Sequence, residues 1–339
     1  MTAVKTWIRW GALMVLVLTW LNVGCASPAT VPALTPSQKD VATASMTRTR
    51  VSTSTRPLAT QRPSPTPTRL VEVHPATATP TPAATATRSA PTPAPLEMAA
   101  AITLTLLYDN NRHDERLETA WGFACLVEGL EQTILFDTGG GDLLLRNMRA
   151  LAIDPDIVDV VVLSHIHSDH VGGLSGFLRE NHDVMVYLPA SFPRTFKSGV
   201  TRTGARLTEI SEPVEICAGA STTGELGTPI KEQALIVESS AGPVVITGCA
   251  HPGITHIVRQ ATRLMDDEIF LVIGGFHLGG VGAAELDRIV GEFQQLGVEK
   301  AAPCHCSGDA ARRRFAEAYG ADFIPAGVGL VLTIGAGAP

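Results

Sequence analysis

The chain has 339 residues, of which 45% are hydrophobic, 17% charged and 5% aromatic, with 31 Gly, 23 Pro and 6 Cys. Its first 99 residues hold 9 Lys+Arg against 3 Asp+Glu, which leaves 17 and 30 for the remainder, a net charge of −13. So acidic a body is a poor partner for nucleic acid, whose binding leans on Lys and Arg against phosphate, and nuclease readings start at a disadvantage.

Lys5 and Arg9 precede the apolar run 11–21, and Cys25 follows Gly24. A basic start and an apolar run this short suit a secretory signal better than a transmembrane helix. The segment resembles a bacterial lipobox with Cys25 as the lipidated residue, although Leu21 stands one place early. A plain cleaved signal and an uncleaved anchor are the alternatives. All three predict an exported protein, and the first ties it to a membrane through a lipid at Cys25.

From Ser27 to Met98 there are 13 Pro and 16 Thr, and no aromatic residue stands between Trp20 and Tyr108. Such a stretch buries too little apolar surface to offset its ordering entropy. Residues 26–98 are therefore predicted to be a disordered tether, and 99–339 a single domain.

In chain order, 102–108, 122–128 and 133–136 read as short strands, and 142–151 as a helix with Asp142 as its N-cap candidate. The continuous apolar run 157–163 reads as a strand buried on both faces. A loop and a helix over 171–180 follow, then strands at 184–188, 214–217, 233–238, 243–247 and 269–273, with helices at 254–265 and 283–296. Ser191–Thr208 carries no readable pattern and is predicted to be a loop. This alternation predicts a layered α/β domain with two sheets covered by helices.

The sequence His165-Ile166-His167-Ser168-Asp169-His170 directly follows the most hydrophobic strand. On an extended segment, i, i+2 and i+4 side chains point the same way, and His170 stands where the chain turns. Four metal-competent groups in six residues are costly to crowd together unpaired, whereas a divalent cation makes partners of them. This pattern, with Asp137-Thr138-Gly139 after an earlier strand, resembles the metallo-β-lactamase fold superfamily of hydrolases over residues 100–335. The resemblance implies a four-layer αββα sandwich with one or two metals at one edge, His165 and His167 holding the first and Asp169 and His170 the second.

Three later segments follow in order: 247–253 (TGCAHPG), 274–278 (GGFHL) and 303–308 (PCHCSG). They are similar to the branch named for dihydropterin ribofuranosyl-aminobenzene phosphate synthases. The resemblance implies His251 as a third ligand, its alternative being a helix cap. It implies His277 and His305 as ligands or substrate-contacting imidazoles, either serving as proton donor beside the catalytic Asp169. Asp137 is expected to fix a ligating imidazole from behind, or else to form a turn. Cys249 either coordinates or packs behind the ligands. Glu225 is a candidate carboxylate, while His74, His113 and His256 read as surface or helix residues.

With Cys25 set aside, five cysteines remain, an odd number that leaves at least one thiol unpaired or bound to metal. Cys304 and Cys306 flank His305 and are expected to face together, as packing residues, a bridge or a soft-metal pair. The donor set suits Zn first, then Mn or Fe. One or two such ions would activate water without a serine nucleophile. The expected activity is hydrolysis of a small ester, phosphoester or lactone by an exported, membrane-tethered enzyme. A metal-binding sensor, a pterin-related synthase-like activity and an iron oxidoreductase are the competing readings.

Overall fold

The computed structural model describes residues 101–335, so the leader, Cys25 and the tether to residue 98 lie outside the described residues. The first half runs β1 (Ile102–Tyr108), β2 (Ala124–Glu128), β3 (Ile134–Phe136), α1 (Leu143–Ala150), β4 (Val160–Val162), α2 (Ser168–Val171), α3 (Leu174–Glu180), β5 (Met185–Pro189), α4 (Arg194–Thr201) and β6 (Arg206–Ile210). The second half runs β7 (Val214–Cys217), β8 (Ala220–Thr222), β9 (Leu235–Val237), β10 (Val244–Thr247), α5 (Ile254–Met265), β11 (Leu271–Gly275), α6 (Ala283–Gln295), β12 (Lys300–Cys304), α7 (Asp309–Tyr319) and β13 (Val331–Ile334). They form a seven-stranded sheet, ordered β13-β1-β2-β3-β4-β5-β6, and a six-stranded sheet, ordered β12-β11-β10-β9-β8-β7.

Alternation along the strands sorts side chains into three cores, one for each interface of a four-layer sandwich. Val160 and Val162 of β4 and Val244 and Ile246 of β10 enter the core between the sheets, with Phe123 and Phe136. Val161 points outward to Leu144 and Met148 of α1 and Phe177 of α3. On the opposite outer face, Val245 and Val272 meet Ile257 and Val258 of α5, Phe293 of α6 and Phe315 of α7. Each large side chain so buried contributes about 1.5 to 3 kcal/mol. The architecture is the expected αββα sandwich, the metallo-β-lactamase fold.

The elements depart from the sequence reading in specific places. The apolar run 157–163 yields only the three residues of β4, because Pro155 starts a 3₁₀ turn whose Asp156 amide donates to the Asp154 side chain. That turn leaves Ile157 exposed. Ser191–Thr208 is no loop, since it holds α4 and the start of β6. Only Val200 of α4 and Ile210 of β6 are buried, too few apolar positions to show a period. Strand β12 contains Pro303 and lies at a sheet edge, where a missing N–H is tolerated. No described helix is long and apolar enough to cross a membrane.

Candidate metal centre

Strands β3 and β4 run parallel, as do β10, β11 and β12. Their C-terminal ends deliver Asp137, the segment Ser164–His170, the segment Gly248–His251, His277 and His305 to one rim. Among the described residues six non-glycine positions hold φ between 48° and 61°, and Asp137, Ala250, His277 and His305 are four of them. Left-handed backbone of this kind costs on the order of 1 to 3 kcal/mol per residue, and here it gathers where side chains are re-aimed at the rim.

Hydrogen bonds behind the imidazoles settle which nitrogen faces inward. Asp137, fully buried, accepts from the Ser164 amide at 2.7 Å through Oδ1. Its Oδ2 lies 2.7 Å from Ser164 Oγ and 2.7 Å from His170 Nδ1. The carboxylate only accepts, so His170 donates from Nδ1 and keeps its lone pair on Nε2. Ser164 spends its one proton on Asp137, so His165 Nδ1, 2.9 Å from Ser164 Oγ, must donate to that oxygen. The His165 lone pair is therefore also on Nε2. Gly248 stands against this pair, where a Cβ would sit 2.1 Å from Ser164 Oγ.

His305 is fixed the same way by residues that the sequence reading passed over. The Asn110 amide donates to the His305 carbonyl at 3.2 Å and presents Oδ1 to His305 Nδ1 at 3.0 Å. Asp109 Oδ2 accepts from the His305 amide at 3.0 Å. His305 Nε2 is left buried without a hydrogen-bond partner, 3.4 Å from Asp169 Oδ2.

Two donor sets result. His167 Nδ1 lies 3.1 Å from His165 Nε2 and 3.1 Å from His251 Nε2. One ring nitrogen cannot donate to both neighbours, whereas a cation accepts all three lone pairs. Beside them, donor atoms of Asp169, His170, Cys249 and His305 lie within 4.8 Å of one another, and those of His165, Cys249 and His251 do so as well. Cys249 Sγ stands 3.2 Å from His170 Nε2. The residues present thus fit one or two divalent cations, by an orphaned buried nitrogen and by lone pairs aimed at common points.

The electrostatics agree. Burial, then the neighbouring imidazoles, keeps His165 well below the ordinary histidine range. Burial and then His277 pull His251 down to about 4. Both are neutral ligands at neutral pH. Burial works against a charge on His170, yet Asp137 outweighs it and raises this imidazole. Burial likewise opposes ionisation of Asp169, but His305 and His170 outweigh it and hold the carboxyl below its usual range. The hydrogen bond between Cys249 and Cys306 pushes the first thiol up and the second down.

The structure rearranges several expectations. Cys249 does not merely pack behind the ligands, since its sulfur belongs to both donor sets. His277 is exposed and joins neither, lying beside His251 with ring centroids 4.4 Å apart. Glu225 is not a donor and accepts from the Ser191 amide at 2.7 Å. The buried carboxylate of this region is Glu232, which accepts from the amides of Cys249, Ala250 and His251, each at 2.8 Å, and so shapes the loop that carries two donors. No motif marks Glu232, which becomes visible only when the loop closes on it. Cys304 and Cys306 do not face together, because the turn at His305 breaks the two-residue alternation. Cys304 enters the core between the sheets and Cys306 turns to Cys249. None of the five cysteines among the described residues is bridged. His113 and His256 are exposed, as is His182, while His74 lies outside the described residues.

A cavity of about 730 Å³ lies at the other ends of these strands, lined by Glu131, Glu238, Asp267 and Glu268, and contains none of the site residues. At the rim itself the indole of Trp121, 58% exposed, leans over His305 with ring centroids 4.8 Å apart.

Comparison with known proteins accords with this geometry. The profile of the metallo-beta-lactamase superfamily matches residues 122–261. The chain is 27% identical over 252 residues to a 7,8-dihydropterin-6-methyl-4-(beta-D-ribofuranosyl)-aminobenzene-5'-phosphate synthase of Methanocaldococcus jannaschii, covering 60% of this chain and 86% of that one. Among solved structures, a metal-dependent hydrolase of the beta-lactamase superfamily, Tm1679, superposes with a TM-score of 0.58 at 29% identity, over 68% of this chain and 98% of its own. The metallo-beta-lactamase fold protein YhfI of Bacillus subtilis shares the fold with a TM-score of 0.53 at 16% identity, over 69% and 100%. The chain carries a metallo-β-lactamase superfamily domain.

Proposed function

We propose that the protein is an exported, membrane-tethered, metal-dependent hydrolase of a small ester, phosphoester or lactone. The observation that carries the hydrolase reading is the pair of donor sets at one rim, with the lone pairs of His165, His170 and His305 turned inward by Ser164, Asp137 and Asn110. Export and tethering rest on the leader-like residues 5–25 with Cys25.

Cations bound by His165, His167 and His251, and by Asp169, His170, Cys249 and His305, would supply Lewis acidity and a water nucleophilic at neutral pH, Zn being the first expectation from these donors. The chain's own part is positional. Asp169 is the one carboxylate in the donor sets, partly exposed and held ionised by His305 and His170, so it would hold a cation and orient the attacking water as a hydrogen-bond acceptor. Trp121 offers the substrate a flat wall above His305, and burial of His165 and His170 keeps the inner side of the site dry.

Elemental analysis of the purified protein, followed by a screen of phosphodiester, phosphomonoester, lactone and thioester substrates with that metal restored, tests the reading. Turnover should vanish in His165→Ala; metal-loaded protein that turns over none of these classes would refute it. The 27% identity to a synthase favours a second reading, chemistry on a pterin and a phosphoribose donor, which the same protein tests directly with those substrates.

A further inference from the structure

Cys306 and His277 remain outside the donor sets described above, yet they are not scattered. Sγ of Cys249, Sγ of Cys306 and a ring nitrogen of His277 lie within 4.8 Å of one another. Both thiols are buried, at 4% and 8% exposure, and neither is bridged. The fold makes room for them: at Gly275 a Cβ would stand 2.8 Å from Cys306 Sγ and 3.2 Å from the Cys249 Cα. His277 reaches the sulfurs from a left-handed backbone, φ 54°, which turns it back after β11. Two facing thiols and an imidazole form a softer donor set than the neighbouring ones, in which Cys249 is the single sulfur among N and O donors.

We propose that Cys249, Cys306 and His277 form a further cation position, selective for a thiophilic divalent ion of the zinc class. Three protein donors with the imidazole on the solvent side leave a coordination place open to water or a small ligand. Cys249 belongs to this position and to the neighbouring sets, and a thiolate can bridge two cations, so an ion held here would share one sulfur with the donors Asp169, His170 and His305. The inference rests on the metal-centre reading only through that shared sulfur.

The test is a Co²⁺ titration of the full chain, stripped by chelator and kept reduced, followed by visible absorption and by the ultraviolet sulfur-to-cobalt charge-transfer band. Wild type should show the band, and Cys306→Ala should lose about half of it together with one equivalent of bound Co²⁺. His277→Ala removes an exposed side chain and leaves the core intact; it should weaken the step that carries the band by about tenfold or more. His165→Ala should lose visible absorption from the nitrogen donors and keep the band, so failure of the hydrolase reading is separable from failure of this one. Absence of the band in wild type, an undiminished band in Cys306→Ala, or a wild-type titration of His277→Ala would each overturn the proposal.

Discussion

Asp137→Asn tests how the rim orients its imidazoles. The asparagine oxygen keeps the bond from the Ser164 amide, now made by Oδ1 at 2.7 Å, and the new NH₂ takes the place of Oδ2. Asparagine tolerates the left-handed φ of 58° at this position, so the backbone has no reason to move. The NH₂ now donates where the carboxylate accepted, toward His170 Nδ1 and Ser164 Oγ, each 2.7 Å away. His170 must accept on Nδ1 and carry its proton on Nε2. Ser164 turns its proton to His165 Nδ1, and His165 shifts to the same tautomer. Both ligands then present a proton to the site, and binding a cation requires reversing each at the cost of a hydrogen bond, about 1 kcal/mol apiece. The expected outcome is a 10- to 100-fold loss of metal affinity, or about 1.4 to 2.8 kcal/mol. Competition for Zn²⁺ against a chelating dye reads the affinity, and long-range ¹H–¹⁵N spectra of the metal-free protein read the tautomers. Wild-type affinity in a folded Asp137→Asn protein would refute the reasoning.

Three further outcomes follow from the same geometry. Glu232→Ala strips the acceptor from three amides in a fully buried place, at about 1 to 3 kcal/mol for each that stays unpaired, so the melting temperature should fall steeply; a fall of only a degree or two would contradict the role given to this carboxylate. Chelation of the metal should destabilise the domain, and restoring the ion at 100 times its Kd should return about 2.7 kcal/mol, measurable by thermal unfolding with and without Zn²⁺. Trp121→Ala, at an exposed position, should leave the melting temperature unchanged and raise KM more than it lowers kcat, an ordering that steady-state kinetics on any confirmed substrate can reverse.

Much of the centre is legible in the sequence because its parts are local. The apolar run ending at Leu163 and the close spacing of His165, His167, Asp169 and His170 both follow from short-range pattern, and so does the arrival of His251 and His277 just after strands. Elements with a weak pattern were not legible in the same way. Helix α4 buries one residue and edge strand β12 contains a proline, so neither has a periodicity to read.

What folding alone decided is which residues meet. Asn110 and His305 are 195 positions apart and His170 and Cys249 are 79 apart, and no spacing rule spans such separations. The tertiary structure drew Glu232 under the Cys249–His251 loop, kept Glu225 out, and sent Cys304 and Cys306 in different directions. The sequence by itself determined the layered α/β class and the chemical kind of donor, because period and side-chain chemistry belong to each segment alone. The division of donors between positions, and the nitrogen each imidazole offers, depend on hydrogen bonds between segments that only parallel packing of distant strand ends brings within reach.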